Sequence, residues 1–390
     1  MRRYLETSIK SDLASKLILI SGPRQAGKTT LARQIAESIS QGRHVYLNWD
    51  HPEHRKAIRS LDWPRSAPVV VLDEIHKYPG WKTLVKGFYD VEGKTQAIII
   101  TGSARLNVYR KGGDSLFGRA FHYRLHPFST GEILREGHAP NSRDLIDPMT
   151  WVNASEKLGK ETLGNLLQFG GFPEPLLKAD ERFARQWRLS RRERIIYEDL
   201  RDLTLVRDVT KVENLLDLLI ERVGSPISIN SLRQDLQVDF KTIESWLEIL
   251  ERLYLIFQVK PYAKKIQRAI SKAKKVYFWD WSEINEKGPR LENLVASHLL
   301  KLCHYFEDVE GLPVELCYVR DTSKREVDFL LIKGHKPWVL VEVKTQDTRP
   351  STSLSYFAKR LQVKYAYQLT LKTYRGETII PCWDFLSKLP

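Results

Sequence analysis

One stretch constrains this chain more than any other. An apolar run, residues 17–20, ends at Gly22-x-x-x-x-Gly27-Lys28-Thr29, and a helix-compatible run from Thr30 through Ile35 follows. That order demands a buried strand, a glycine turn and a helix N-terminus. Glycines in such a turn let backbone N–H groups face phosphate oxygens without an intervening side chain, and the helix start adds positive partial charge. Residues Gly22, Pro23, Arg24, Gln25, Ala26, Gly27, Lys28, Thr29 and Thr30 are therefore the expected nucleotide cradle. Lys28 is expected to reach the β- and γ-phosphates of ATP, and the Thr29 hydroxyl to bind Mg²⁺.

Further apolar runs alternate with helical stretches. Residues 44–50, 67–74, 94–103 and 120–125 read as strands, and their near-continuous apolar character predicts a parallel sheet covered on both faces. Ligands bind at the carboxyl ends of strands in such sheets. The third strand ends in Asp73-Glu74. Asp73 is expected to hold Mg²⁺, and Glu74 to orient and polarise the attacking water. Ser103, at the next strand tip, is a candidate for touching the γ-phosphate or that water. Arg119 is the preferred candidate for offsetting transition-state charge, acting in cis or from a neighbouring subunit.

The strings Gly22 to Thr29, Leu72-Asp-Glu-Ile-His76, Thr101-Gly-Ser-Ala-Arg105, Leu116-Phe-Gly-Arg119 and Leu125-His-Pro-Phe128 resemble a family of bacterial and archaeal AAA+-type ATPases. Gly170-Gly-Phe-Pro-Glu174 is similar to a further landmark between that family's ATPase core and its C-terminal region. The resemblance implies ATP turnover and a homo-oligomer, often a six-membered ring.

Lys and Arg total 62 against 48 Asp and Glu, a formal charge of +14. An excess of this size favours a polyanionic partner, nucleic acid before a membrane surface. No apolar run reaches membrane-span length and the start lacks a signal-peptide core, so neither membrane insertion nor export is expected. Three cysteines without zinc or disulfide spacing fit a reducing, cytoplasmic compartment. Residues 231–236 and 242–252 read as a short helix, a turn and a longer helix, a helix-turn-helix pattern. The strands 254–260 and 275–280 then form an expected wing hairpin around a basic loop. That loop carries Lys260, Lys264, Lys265, Arg268, Lys272, Lys274 and Lys275, the expected DNA-phosphate contacts. Glu244, Glu248 and Glu251 make the longer helix a poor groove reader.

A second constellation closes the chain. Glu292 lies on a helical run, Asp328 within Glu326-Val-Asp328-Phe-Leu-Leu, and Glu342 and Lys344 within Val339-Leu-Val-Glu342-Val-Lys344. Glu342 and Lys344, two apart on a strand, share one face. The set resembles a PD-(D/E)XK nuclease core, with Val327 where a proline often stands. The resemblance implies that Glu292, Asp328 and Glu342 bind Mg²⁺ or Mn²⁺ and that Lys344 positions water or offsets charge. The expected α/β architecture is an AAA+-type P-loop parallel-sheet domain (1–150), a helical linker with a winged-helix module (151–280) and a restriction-endonuclease-like domain (281–390). The function expected from it is an ATP-hydrolysing, Mg²⁺-dependent DNA nuclease acting on duplex or branched DNA. The alternative is an ATP-driven switch whose C-terminal domain only binds nucleic acid or protein.

Overall fold

Runs of Val, Ile and Leu become strands where the sequence places them. The computed structural model describes residues 1–92, 95–102, 116, 118–140, 155–200, 208–263 and 273–390. The chain divides into two units, Met1–Pro127 with Glu136–Ala139, and Phe128–Arg135 with Pro140–Pro390.

The first unit runs α1 (Glu6–Asp12), β1 (Leu17–Ser21), α2 (Lys28–Ser40), β2 (Val45–Asn48), α3 (Pro52–Ser60), β3 (Val69–Asp73), α4 (Trp81–Glu92), β4 (Ala97–Thr101) and β5 (Ala120–Arg124). The strand order is β2-β3-β4-β1-β5, and every neighbouring pair is parallel. β3 is buried at all five positions, as a central parallel strand must be. Leu17, Val70, Leu72, Ile98 and Ile100 pack with Trp63, Trp81 and Phe88 in one core. The register sets Asn48 beside Asp73 and Asp73 beside Thr101, so three polar residues form a row at the strands' C-terminal tips.

The second unit holds α5 (Thr130–Leu134), α6 (Glu156–Phe169), α7 (Pro173–Lys178), α8 (Glu181–Arg194), α9 (Val209–Glu221), α10 (Ile229–Leu236) and α11 (Phe240–Arg252). β6 (Ile256–Pro261), β7 (Lys275–Phe278), α12 (Lys287–Glu310), β8 (Val314–Arg320), β9 (Glu326–Lys333) and β10 (Lys336–Lys344) follow. α13 (Thr352–Leu361), β11 (Tyr365–Thr370), β12 (Ile379–Pro381) and α14 (Cys382–Lys388) complete it. Its mixed sheet has the order β12-β11-β10-β9-β8-β6-β7.

The short helix, turn and longer helix form as α10 and α11, with the Ser228 side chain accepting from the Ser231 N–H at the start of α10. β6 and β7 pair antiparallel, the expected hairpin. That hairpin does not end with its helices. β6 lies parallel to β8 through Lys260↔Cys317 and Pro261↔Tyr318. One sheet therefore crosses the boundary expected at 280, and the other expected boundary, at 150, lies outside the described residues.

Candidate nucleotide and metal sites

β1 delivers the chain to the P-loop and α2 carries it away. Gly22 has φ +147°, and a Cβ there would stand 2.3 Å from the Leu125 carbonyl oxygen, so only glycine fits. Gly27 caps α2 in the left-handed region at φ 94°. The Lys28 ammonium donates to the Gly22 and Pro23 carbonyls at 3.0 and 2.7 Å, which holds it over the loop. The first-turn Thr29 hydroxyl donates to Asp73 Oδ2 at 3.0 Å.

Asp73 is buried and is the hub of the site. Besides Thr29 it accepts from the Tyr46 hydroxyl at 2.7 Å and the Asn48 amide at 3.3 Å, and Thr101 Oγ1 donates to its Oδ1. Burial first, and then the hydrogen bond to Asp73, push the Tyr46 hydroxyl up to about 12, so it remains a donor. Glu74 follows in a left-handed conformation, φ 56°, with its N–H donating to the Thr101 carbonyl at 3.0 Å. Burial raises its carboxyl above the usual range, against the pull of Lys28 and Lys77. A half-buried carboxylate under the influence of the P-loop lysine has the attributes of a general base. Thr29 and Asp73 converge on one place, and the hydroxyl–carboxylate pair suits the hard-cation chemistry of Mg²⁺.

Tyr46, Asn48 and Arg3 belong to this site although their sequence reading assigns them no role. The buried Arg3 guanidinium donates to the Ala26 carbonyl at 2.7 Å and the His126 carbonyl at 2.6 Å, bracing the loop from behind. Their spacing puts Tyr46 and Asn48 on one face of a strand, but only the pairing of β2 with β3 turns that face to Asp73. Ser103 lies outside the described residues. Arg119 stands away from the P-loop of its own chain. Its carbonyl accepts from the Leu17 N–H, at the end of β1 remote from Gly22. Its guanidinium holds Asp90 with contacts of 2.6 and 3.1 Å. The length of β1, roughly 3.3 Å per residue, lies between it and the P-loop, which is at odds with the in-cis form of the expectation and not with the in-trans form.

In the second unit β9 and β10 pair antiparallel, with Leu340↔Leu330 and Val341↔Phe329. Asp328 and Glu342 follow as neighbours, and Asp328 Oδ2 accepts from the Val343 N–H at 2.8 Å. The Lys344 ammonium stands 2.8 Å from Glu342 Oε1. Glu342 Oε2 is buried and has no hydrogen-bond partner among the described residues. Burial, reinforced by Asp328, pushes the Glu342 and Glu292 carboxyls up to about 7.

The expected set of three carboxylate ligands is corrected in two ways. Among the described residues no group of three His, Cys, Asp or Glu side chains is disposed to hold a metal ion. Glu292 joins the cluster, but its Oε1 accepts from the Tyr277 hydroxyl at 2.7 Å and from Lys275 at 3.4 Å. Lys275, expected to touch DNA phosphate, is instead 1% exposed and inside the carboxylate cluster. Of the other basic-loop residues, Lys260 is exposed and Lys274 half-buried. Lys264, Lys265, Arg268 and Lys272 lie outside the described residues. The three cysteines are buried and unbridged, and no helix among the described residues is long and apolar enough to cross a membrane.

Residues 14–134 match the family described as AAA domain. Residues 160–285 and 287–385 match two further families, described as Domain of unknown function (DUF8612) and Domain of unknown function (DUF4143). The chain is 25% identical over 386 residues to the uncharacterized protein MJ1544 of Methanocaldococcus jannaschii, covering 94% of this chain and 83% of that one. It is 22% identical to the uncharacterized protein Mb2031c of Mycobacterium bovis, covering 96% and 80%. Among solved structures, the Thermotoga maritima RuvB Holliday junction branch migration motor is 16% identical over 70% of this chain and 89% of its own, with a TM-score of 0.32. With the P-loop, the Thr29–Asp73 pair and Glu74 in place on a parallel sheet, residues 14–134 constitute a P-loop ATPase domain of the AAA type.

Proposed function

We propose that this chain is an ATP-hydrolysing, Mg²⁺-dependent DNA-processing protein that couples its ATPase domain to a C-terminal centre for phosphodiester hydrolysis. The first half rests on the P-loop geometry. Lys28 and the loop N–H groups bind the phosphates, Thr29 and Asp73 hold the cation, and Glu74 takes the proton of the attacking water. Ser103 is assigned to the γ-phosphate. Arg119 acts only on a neighbouring subunit's nucleotide, which requires a homo-oligomer.

One observation carries the second half: Asp328, Glu342 and Lys344 gather on adjacent strands, with Glu342 Oε2 buried and lacking a hydrogen-bond partner among the described residues. Mg²⁺ is commonly held by one or two carboxylates together with substrate phosphate and water, which fits Asp328 and Glu342. Mn²⁺ fits the same oxygen donors. A divalent ion bound there supplies Lewis acidity and a more acidic water. Lys344 offsets charge on the phosphate and orients the nucleophile, and Glu292 keeps the neighbouring lysine in place. The +14 charge and the basic stretch from Lys260 to Lys274 support DNA as the substrate.

The test is cleavage of single-stranded, duplex and branched DNA with and without Mg²⁺, Mn²⁺ and ATP. Asp328→Asn and Lys344→Ala are expected to abolish cutting and to leave ATP turnover intact. If no substrate is cut with either metal, the hydrolytic reading fails. The burial of Lys275 among the carboxylates favours the second reading in that case: an ATP-driven switch whose C-terminal domain only binds nucleic acid or protein.

A further inference from the structure

Lys275 is the first residue of β7, and its side chain is 1% exposed. Its ammonium lies 2.7 Å from Glu326 Oε1, 3.4 Å from Glu292 Oε1 and 3.6 Å from Asp328 Oδ1. These acids come from α12 and β9, two separate elements. The ammonium also stands 5.4 Å from the centre of the Tyr318 ring. The backbone at this point is fixed. Lys275 pairs with Val259 of β6 and forms a bridge with Pro226, and the Tyr318 hydroxyl donates to the Ala273 carbonyl at 2.5 Å. A buried ammonium is tolerated only when paired and hydrogen-bonded, and here three carboxylates surround it.

With every acid ionised, the cluster holds four carboxylates against three cations. Glu292, Glu326, Asp328 and Glu342 face Lys275, Lys344 and the Arg320 guanidinium, which lies 3.1 Å from Glu326. The carboxylates are shared unequally. Glu292, Glu326 and one oxygen of Asp328 lie within 4 Å of Lys275, whereas Glu342 makes no such contact with it and its Oε2 has no hydrogen-bond partner among the described residues. We infer that Lys275 is a fixed cation filling one of two cation positions in this centre, so that a single divalent ion is taken, on the Asp328–Glu342 side. This rests on the metal-centre reading above and deepens it: phosphodiester hydrolysis at this site uses one divalent ion, with a lysine ammonium where a second ion would sit. It also explains why three carboxylates do not close on a common point, since an ammonium lies between them. Lys275 is a positioning residue, and it reaches the centre from a strand outside the β9–β10 pair that bears Asp328 and Glu342.

The test counts Mn²⁺ bound to the nucleotide-free full chain, by electron paramagnetic resonance titration. Lys275→Met removes the charge and keeps the side-chain length, whereas Lys275→Arg keeps the charge. Lys275→Met is expected to bind one Mn²⁺ more per chain than the unaltered protein, and Lys275→Arg the same number. Equal counts for Lys275→Met and the unaltered protein overturn the inference. Should Lys275→Met not fold, Lys275→Gln combined with Glu292→Gln, which removes one charge of each sign, is titrated. The same increment of one ion is expected there, and no increment overturns the inference. The metal-centre reading is judged separately, by whether the unaltered chain binds an ion that Glu342→Gln loses.

Discussion

Thr29 Oγ1 donates a hydrogen bond to Asp73 Oδ2 at 3.0 Å, tying the first turn of α2 to the tip of β3. The bond brings together the hydroxyl and the carboxylate to which the proposed function assigns the nucleotide's cation. Because Asp73 also accepts from Tyr46, Asn48 and Thr101, the site is braced from three strand and helix elements. Such bracing limits reorganisation when charge develops on the phosphate.

On the proposed function, turnover is expected to depend on Glu74 and binding on Lys28. Glu74→Gln keeps the shape of the side chain but removes its basicity, so ATP turnover is expected to fall about 100-fold or more with nucleotide affinity kept. Lys28→Ala removes the ammonium held over the loop, and both affinity and turnover are expected to fall. Phosphate release and nucleotide titration measure the two effects. Unchanged turnover in Glu74→Gln would remove Glu74 from the chemistry.

Tyr46 acts through Asp73. Tyr46→Phe removes a 2.7 Å hydrogen bond and little volume. A bond of this kind contributes about 1 kcal/mol, roughly a fivefold effect. The Mg²⁺ concentration for half-maximal turnover is expected to rise by about that factor, with the melting temperature close to that of the parent. An unchanged Mg²⁺ dependence would leave Tyr46 a merely structural hydroxyl.

DNA binding is expected to weaken steeply with salt. Replacing Lys264, Lys265 and Arg268 by Ala should flatten the slope of log affinity against log salt, by about 0.9 for each duplex phosphate that is no longer neutralised. Fluorescence anisotropy over a range of salt concentrations reads this directly. Lys275→Arg should leave the slope unchanged, because Lys275 is buried among Glu292, Glu326 and Asp328.

The parallel sheet was legible because its strands are apolar almost without interruption, and a single string fixed the P-loop. The place of Asp73 and Glu74 at a strand tip was legible because the apolar run stops at them. Tyr46 and Asn48 were not, since their role depends on β2 lying beside β3, and strand order is a long-range property that spacing does not encode. Lys275 was misread for a related reason. In sequence it belongs to a basic run, and only the parallel pairing of β6 with β8 brings its strand to the carboxylates of β9 and α12. Arg119 was placed by motif alone, and a motif does not state which end of the sheet it occupies.

His298 is expected to make the second unit labile in acid. It is buried on α12; its Nδ1–H donates to the Leu294 carbonyl at 2.8 Å, and its Nε2 accepts from the Thr130 N–H at 3.0 Å. Protonation would place a second N–H where the Thr130 N–H already points. Burial therefore holds the imidazole down at about 3, with Lys301 adding to the effect and the Leu294 carbonyl and Glu132 opposing it. An unfolded histidine titrates near 6.5. The stabilisation is thus fully present above about pH 6.5 and is lost as pH falls toward 3, at up to about 1.4 kcal/mol per pH unit. Glu283, Glu292 and Glu342, pushed up to about 7, act with the opposite sign, because acid relieves their buried charge. The difference between the unaltered chain and His298→Gln isolates the histidine. Glutamine can donate and accept at this place without titrating, so urea midpoints of the two proteins should converge as pH drops from 6.5 to 4. A constant gap between them over that range would show that His298 does not limit stability in acid.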